Sequence, residues 1–420
     1  MKLKRILLII LAVLLVAEIG MLVVFNPFGE KNPSEEIIPT EAMAEETEPA
    51  ALPTETVIPT QPPTEPPTEP PTEPPVTEPP IQRYTLSFAG DCTLGSTRKN
   101  WTHPNHFVQK IGDNYDYPFD KVRKYFEDDD FTIINLEGPL TDDASSGTVK
   151  EFVFRGPTAY TQIMTGSSVE AVTLANNHAE DYGKAGYDST KTALKEAGIT
   201  YVEKNKTAMY TTESGLRIGL YAGAFDISTK DMKSDIAALR EDGAEIVICA
   251  FHWGAELSYQ PDAAQKKVAK AAIDAGANVV YGHHPHVLQP IEEYNGGLIF
   301  YSVGNFSFGG AAFPKDFDTV LLQLEVIRDE NGDVHLGDLT AIPCNLKGED
   351  GVNTFQPKPV KKGTVYKRVL QKLGGNFTGT KFNTTYNKVE PIPTETTLST
   401  EEAPVVTETL APPTEPGGTG

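Results

Sequence analysis

Along the middle of the chain, short apolar runs of strand length alternate with stretches in which hydrophobic residues return every three or four positions. Residues 84–89, 131–136, 151–154, 171–174, 216–222 and 245–251 read as strands, because short apolar runs bounded by turn formers suit buried sheet positions. Helical spacing runs over 119–126, where Phe119, Val122 and Phe126 share a face, and over 187–197, which Gly198 stops. A further helix lies between Asp262 and Ala275. Asp262 is its N-cap, Val268, Ala271, Ala272 and Ala275 form its buried side, and Gly276 ends it. Strands follow at 278–281, 298–303 and 320–327, and Asn331-Gly332 turns the last of these into a hairpin with 334–341. Elements alternate early and strands dominate late, which predicts an α/β domain of mixed sheets covered by helices.

The two ends follow a different pattern. Lys2, Lys4 and Arg5 precede an apolar run from Ile6 to Ala17 that resumes after Glu18 through Phe25, roughly the 20 residues a membrane crossing needs. Basic residues ahead of the span favour a cytoplasmic N-terminus and an exported remainder. A cleaved signal peptide is the competing reading, since Glu18 interrupts the run, but no small-x-small cleavage site is evident and an uncleaved anchor is preferred. Residues 33–81 then repeat Pro-Pro-Thr-Glu at 62, 66 and 70. Proline removes backbone donors and the glutamates repel, so an extended stalk or plain disorder is expected. The tail from Pro391 has the same composition.

Charge separates these ends from the middle. The net charge is -22, yet residues 33–81 hold eleven acids and 391–420 hold five, with no Lys or Arg in either. No basic patch suited to nucleic acid is visible. Cys92, Cys249 and Cys344 are too few and too scattered for a disulfide scaffold or a cysteine zinc site.

Chemistry gathers where the strands stop. Val279-Val280-Tyr281-Gly282-His283-His284-Pro285-His286 places three of the eight histidines after one apolar run. Four other runs end in ligand-type residues: Phe88-Ala89-Gly90-Asp91, Ile134-Asn135-Leu136-Glu137, Leu174-Ala175-Asn176-Asn177-His178 and Ala250-Phe251-His252-Trp253-Gly254. Ligand sites of α/β sheets form beyond the carboxyl ends of strands. Each residue alone has an ordinary explanation as a turn former, a cap or a satisfied histidine. Together Asp91, Glu137, Asn177, His252, His283 and His286 make an oxygen and imidazole set without thiolates, suited to one or two divalent ions such as Mn, Zn or Fe. Glu137 is the best placed bridging carboxylate and His178 a candidate proton donor. Arg155, in Phe154-Arg155-Gly156-Pro157, is a candidate anion-binding residue or an ordinary surface arginine.

These motifs, with Tyr301-Ser302-Val303-Gly304-Asn305-Phe306, resemble the CapA family of poly-gamma-glutamate capsule synthesis in content and order over about residues 83–310. The resemblance implies a four-layer α/β/β/α sandwich related to the calcineurin-like metallophosphoesterases. Against that pattern Asp91 is similar to the first metal aspartate, Glu137 stands where a bridging aspartate is expected, and Asn177-His178 resembles the Asn-His pair. His252 resembles the lone metal histidine and His283 with His286 the final pair, or His284 with His286 at the shorter spacing. The phosphoesterase pattern Asp-x-His is not kept, because Cys92 and Thr93 follow Asp91.

The expected organisation is therefore an anchor or signal segment over 1–27, a stalk over 28–82, a CapA-like domain over 83–345, an extension of unassigned role over 346–390 and a disordered tail over 391–420. The resemblance implies an envelope protein of capsule or poly-gamma-glutamate biosynthesis or export, with its main domain extracellular, meeting an anionic polymer and a membrane synthesis complex. Two alternatives stand beside it: a secreted metal-dependent phosphoesterase acting on envelope phosphodiesters or nucleotides, and a non-catalytic stalked binding protein.

Overall fold

The computed structural model describes residues 80–375 and, as strand backbone alone, 385–386. The anchor, most of the stalk and the tail from 391 lie outside the described residues. Among the described residues, no helix is long and apolar enough to cross a membrane.

In chain order the elements are β1 (Gln82–Cys92), β2 (Ser96–Thr97), α1 (Phe107–Ile111), α2 (Arg123–Glu127), β3 (Phe131–Leu136), β4 (Phe154–Arg155), α3 (Thr161–Thr165), β5 (Ala171–Thr173) and α4 (Gly183–Glu196). Then come β6 (Thr200–Val202), β7 (Lys206–Thr211), β8 (Arg217–Ala224), α5 (Thr229–Glu241), β9 (Ile246–His252), α6 (Ala263–Asp274) and β10 (Val279–His283). The described chain closes with β11 (Ile291–Tyr294), β12 (Gly297–Phe300), β13 (Asp318–Arg328), β14 (Val334–Lys347), β15 (Asn353–Pro359), α7 (Thr364–Leu373) and β16 (Thr385–Tyr386).

Two mixed sheets result. The first runs β15-β14-β13-β1-β3-β5-β6, with β16 also on β14, and the second runs β11-β12-β10-β9-β8-β7. Their facing sides bury Leu86, Phe88, Ile133, Leu322 and Leu324 of the first sheet with Leu220, Ile248, Val279 and Phe300 of the second. The outer face of the first sheet packs Ile134, Leu136 and Val172 against Phe107, Phe126, Ile163 and Leu194 of α1 to α4. The outer face of the second packs Val247, Cys249 and Val280 against Met232, Ile236, Ala269 and Ala272 of α5 and α6. The order is helices, sheet, sheet, helices. The central strands β3, β9 and β10 bury both faces, which explains why they read as continuous apolar runs, whereas β14 and β15 alternate and β7 stays partly exposed.

Parallel pairing levels the strand ends. Asp91 stands opposite Asn135, and Asn135 opposite Thr173, while His283 stands opposite His252 and His252 opposite Ala224. The β1–β3 register slips between Phe88 and Asp91, a bulge whose freed Ala89 carbonyl accepts from the Tyr281 hydroxyl of the other sheet. Tyr281 also donates to the Ile133 carbonyl at 3.1 Å. One buried phenol thus ties the two sheets together beneath the ligand-bearing edge.

Several local expectations hold and others shift. Asp262 and Gln265 form a reciprocal capping box on α6, and Gly276 follows its end at φ +106°. The buried face of α6 is Gln265, Ala269, Ala272 and Ile273; of the expected stripe Ala272 is fully buried, and Val268, Ala271 and Ala275 pack half-buried beside it. The 119–126 helix contracts to α2, because the Phe119 carbonyl accepts from both Val122 and Arg123 and the chain enters through turns. Phe119, Val122 and Phe126 are buried regardless. Only Phe154 of the 151–154 run joins a strand, since β4 pairs with no more than β2.

Residues beyond 345 enter the core. β15 pairs with β14, and α7 contributes Val369, Leu370 and Leu373 to the inter-sheet cluster. Two of its cations turn toward the sheet while Lys367 stays exposed: Lys372 is buried against Asp316 and Asp318, and Arg368, half-buried, forks onto both oxygens of Asp318. Burial tends to raise the Asp318 carboxyl, but Arg368 and Lys372 outweigh it and hold the group below the usual range. Removing one partner of a buried ion pair strands the other in a poor solvent. Lys372→Ala is expected to cost about 3 kcal/mol, read as a lower urea midpoint at unchanged m-value.

Candidate metal centre

Asp91 sits at the end of β1 and is fully buried. Its Oδ1 accepts from Asn135 Nδ2 at 2.8 Å and lies 2.9 Å from His283 Nδ1, and its Oδ2 lies 3.1 Å from His286 Nδ1. Burial pushes this carboxyl up, but His283 and His286 outweigh that and hold it well below the usual range. Asp91 therefore stays a carboxylate.

Glu137 follows β3 and is equally buried, yet neither of its carboxyl oxygens has a hydrogen-bond partner. Burial, with the nearby Asp91 charge, pushes it up to about 7 against the pull of His286. His252 Nε2 lies 3.7 Å and His286 Nε2 3.8 Å from its Oε1. His252, His284 and His286 crowd the same volume, with the His252 and His284 rings 4.7 Å apart. Burial pushes both His252 and His284 down, which keeps their lone pairs available.

The loop after β10 produces this crowding through strained backbone. His284 has φ +95° and His286 φ +55°, values that side-chain-bearing residues seldom adopt. Such outliers persist where the surroundings over-determine them, and they concentrate at functional sites. His286 Nδ1 is held at 2.9 Å by Asn305 Oδ1, leaving Nε2 toward Glu137. Orienting one imidazole nitrogen through a second residue is how a ligating histidine is fixed.

Three sets of potential ligand atoms lie within 4.8 Å of one another: Glu137, His252 and His284; Asp91, Glu137 and His286; and Glu256, His284 and His286. Glu137, His284 and His286 each belong to two sets. Among the described residues, the buried side-chain atoms without partners include His283 Nε2, His284 Nδ1 and both Glu137 oxygens. Leaving several such groups unpaired is costly, so the arrangement fits a divalent cation that would pair with them. All donors are oxygen or imidazole nitrogen. Cys92 is packed in the helix-facing cluster, and burial pushes its thiol up, so it offers no thiolate.

Asn177 joins this group through Oδ1, 2.7 Å from His252 Nε2. His283 Nδ1 lies 2.9 Å from Asp91 while its Nε2 is buried without a partner, and His284 joins the ligand sets beside it. His178 lies beside the group with Nδ1 2.7 Å from Asp181 Oδ2 and its ring 4.5 Å from Phe154. Arg155 stands apart. Its guanidinium is 3.8 Å above the Trp101 ring and donates to the Thr141 carbonyl at 2.9 Å.

Two participants escaped the reading of the chain. Asp181 is wholly buried and accepts from His178, Lys150 and the Phe154 amide. Its position three residues after His178 was the available signal. Glu256 is exposed on the loop after β9, brought close because the Leu257 amide donates to the Pro285 carbonyl at 2.8 Å.

Comparison with known proteins covers the stretch that carries these motifs. The family profile described as "Bacterial capsule synthesis protein PGA_cap" matches residues 85–310. The Bacillus anthracis protein named "Capsule biosynthesis protein CapA" is 30% identical over 70% of this chain and 73% of its own. The Bacillus subtilis "PGA biosynthesis protein CapA" is 28% identical over 68% and 76%. Among solved structures, the Haemophilus influenzae NAD nucleotidase NadN aligns over 70% of this chain and 62% of its own. Its TM-score is 0.37 at 13% identity, a likeness too slight to bear an argument.

Proposed function

The chain belongs to the bacterial capsule synthesis protein family PGA_cap, and from that premise we propose that it is an accessory protein of capsule or poly-gamma-glutamate biosynthesis or export. In this reading the 1–27 segment anchors it in the membrane, the domain works outside the cell, and a divalent metal lies at the shared edge of the sheets. The two-sheet, four-layer arrangement is read as metallophosphoesterase-like. The observation that carries the metal is Glu137: a buried carboxylate without a hydrogen-bond partner, shared by two ligand sets inside the family-matched region.

Asp91, Glu137, Asn177, His252, His284 and His286 would hold the metal, with Glu256 at its outer side. A divalent cation in such a site supplies Lewis acidity and positive charge opposite an anionic substrate group. The protein's own part is to fix a proton beside it. Asp181 holds His178 Nδ1–H, so the proton that moves would sit on Nε2, and burial of Asp181 keeps the imidazole in one orientation.

That His178–Asp181 pair also favours a second reading, a metal-dependent phosphoesterase acting on envelope phosphodiesters or nucleotides. Both readings give His178 a task that a passive binding protein would not. His178→Ala is expected to lower polymer output about 100-fold in a strain lacking its own copy, with the metal content of the full chain unchanged. Asp181→Asn should lower it less, since it disturbs orientation only. Unchanged output in the His178 variant would end the proton-transfer role. Turnover of a generic phosphodiester by the wild type, lost in His178→Ala, would favour the second reading.

A further inference from the structure

A groove of about 530 Å³ opens between the turn Arg98–Asn100 and the loop 148–153. Its lining sets Arg98, Lys99 and Lys150 against a single acid, Glu151, and adds the apolar side chains of Phe152 and Val153. Two separate contacts join it to the candidate metal centre. Lys150 Nζ donates to the Asn177 carbonyl at 3.0 Å and to Asp181 Oδ1 at 3.1 Å. Phe152 stacks on Phe154 at 6.4 Å, and Phe154 in turn lies against His178.

Three cations against one acid, gathered beside the candidate metal centre, need a reason. Phe152 is 52% exposed in the same groove, so an apolar surface is held open next to the charges. That combination suits a ligand that is anionic at intervals and apolar between. A compact anion such as free phosphate would leave Phe152 unused.

We propose that this groove is a binding subsite for an extended polycarboxylate chain, with carboxylates on Arg98 and Lys99 and the methylene and amide spacers across Phe152. The assignment rests on the polymer reading above. The Arg98 guanidinium is braced by one bond to the Ala144 carbonyl, at 2.7 Å, and keeps the rest of its planar fork for a carboxylate. Lys150, tied to Asp181 and the Asn177 carbonyl, marks where the chain passes from the groove to the metal centre.

The test is fluorescence anisotropy on the full chain with a labelled oligo-gamma-glutamate of about ten residues, at roughly 50 and 200 mM salt. Inorganic polyphosphate of matched charge is the second probe. Arg98→Ala/Lys99→Ala is expected to weaken oligo-glutamate binding about tenfold and flatten its salt dependence, with metal content and Tm as in the wild type. Phe152→Ala, which changes no charge, should weaken binding about threefold without altering the salt dependence. If the wild type binds and the double variant binds equally well, the groove is overturned while the polymer reading stands. If the wild type does not bind oligo-glutamate, both fall. Binding of polyphosphate alone, lost in the double variant, would assign the groove to phosphate anions and overturn the carboxylate assignment.

Discussion

Glu137→Gln is expected to weaken metal binding by more than about 100-fold while leaving the metal-free protein at least as stable as the wild type. Losing a group that merely orients a ligand typically costs about 10–100-fold, and Glu137 is itself a candidate ligand in two of the three sets. The amide has the same shape but only one acceptor oxygen and no charge. Without metal the carboxyl is buried, lacks hydrogen-bond donors and has been pushed up to about 7, so replacing it removes an unfavourable buried group. His286 keeps Asp91 as its partner. The two effects therefore point in opposite directions. Thermal melts with and without Mn, Zn or Fe separate them: at 100 times its dissociation constant a bound ion adds about 2.7 kcal/mol to the wild type and, at that same concentration, less than about 0.4 kcal/mol to the variant. Metal stabilisation of equal size in both proteins would remove Glu137 from the site.

Gly90→Ala is expected to be among the most damaging single-methyl additions in the domain. A Cβ on Gly90 would lie 2.1 Å from the Gly304 carbonyl oxygen and 3.0 Å from that of Val303, both backbone atoms. Side chains can turn aside, but this backbone is pinned by the Asp91 amide to Gly304 carbonyl bond at 2.8 Å and the Phe306 amide to Asp91 carbonyl bond at 2.9 Å. Overpacking of this kind costs about 1–3 kcal/mol, and a rigid obstacle puts it at the upper end. For a domain of this size that is a Tm lower by roughly 5 °C. The strand must also move at the residue that carries Asp91, so metal binding should fall with stability. A variant that melts normally and binds metal normally would mean that β1 and the 301–306 segment are less closely engaged.

What could be read along the chain was where chemistry collects. Apolar runs ending in Asp91, Glu137, Asn177 and His252 placed four residues around one edge, because parallel pairing aligns strand ends. Which histidine of His283-His284-Pro285-His286 faces the group was not legible. It depends on positive φ at His284 and His286, a tertiary constraint that no periodicity encodes. Glu256 was hidden for a similar reason, since its approach rests on a backbone bond between two loops. Helix α5 was there to be found: Met232, Ile236 and Leu239 recur at helical spacing behind the Ser228 cap. The role of residues 346–390 was not legible, because Arg368 and Lys372 of α7 find their partners in Asp316 and Asp318, some fifty residues earlier in the chain. Charge in a sequence indicates a solvated face only when its partners are not buried nearby.

The ligand sets call for a divalent ion at this edge of the two sheets. Elemental analysis of the purified full chain, equilibrated with Mn, Zn and Fe and then dialysed, tests it most directly, alongside Glu137→Gln and Asp91→Asn. One or two ions per folded wild-type chain, lost in both variants, is the result expected. A folded wild-type chain that retains no metal, or variants that keep the full complement, would contradict it.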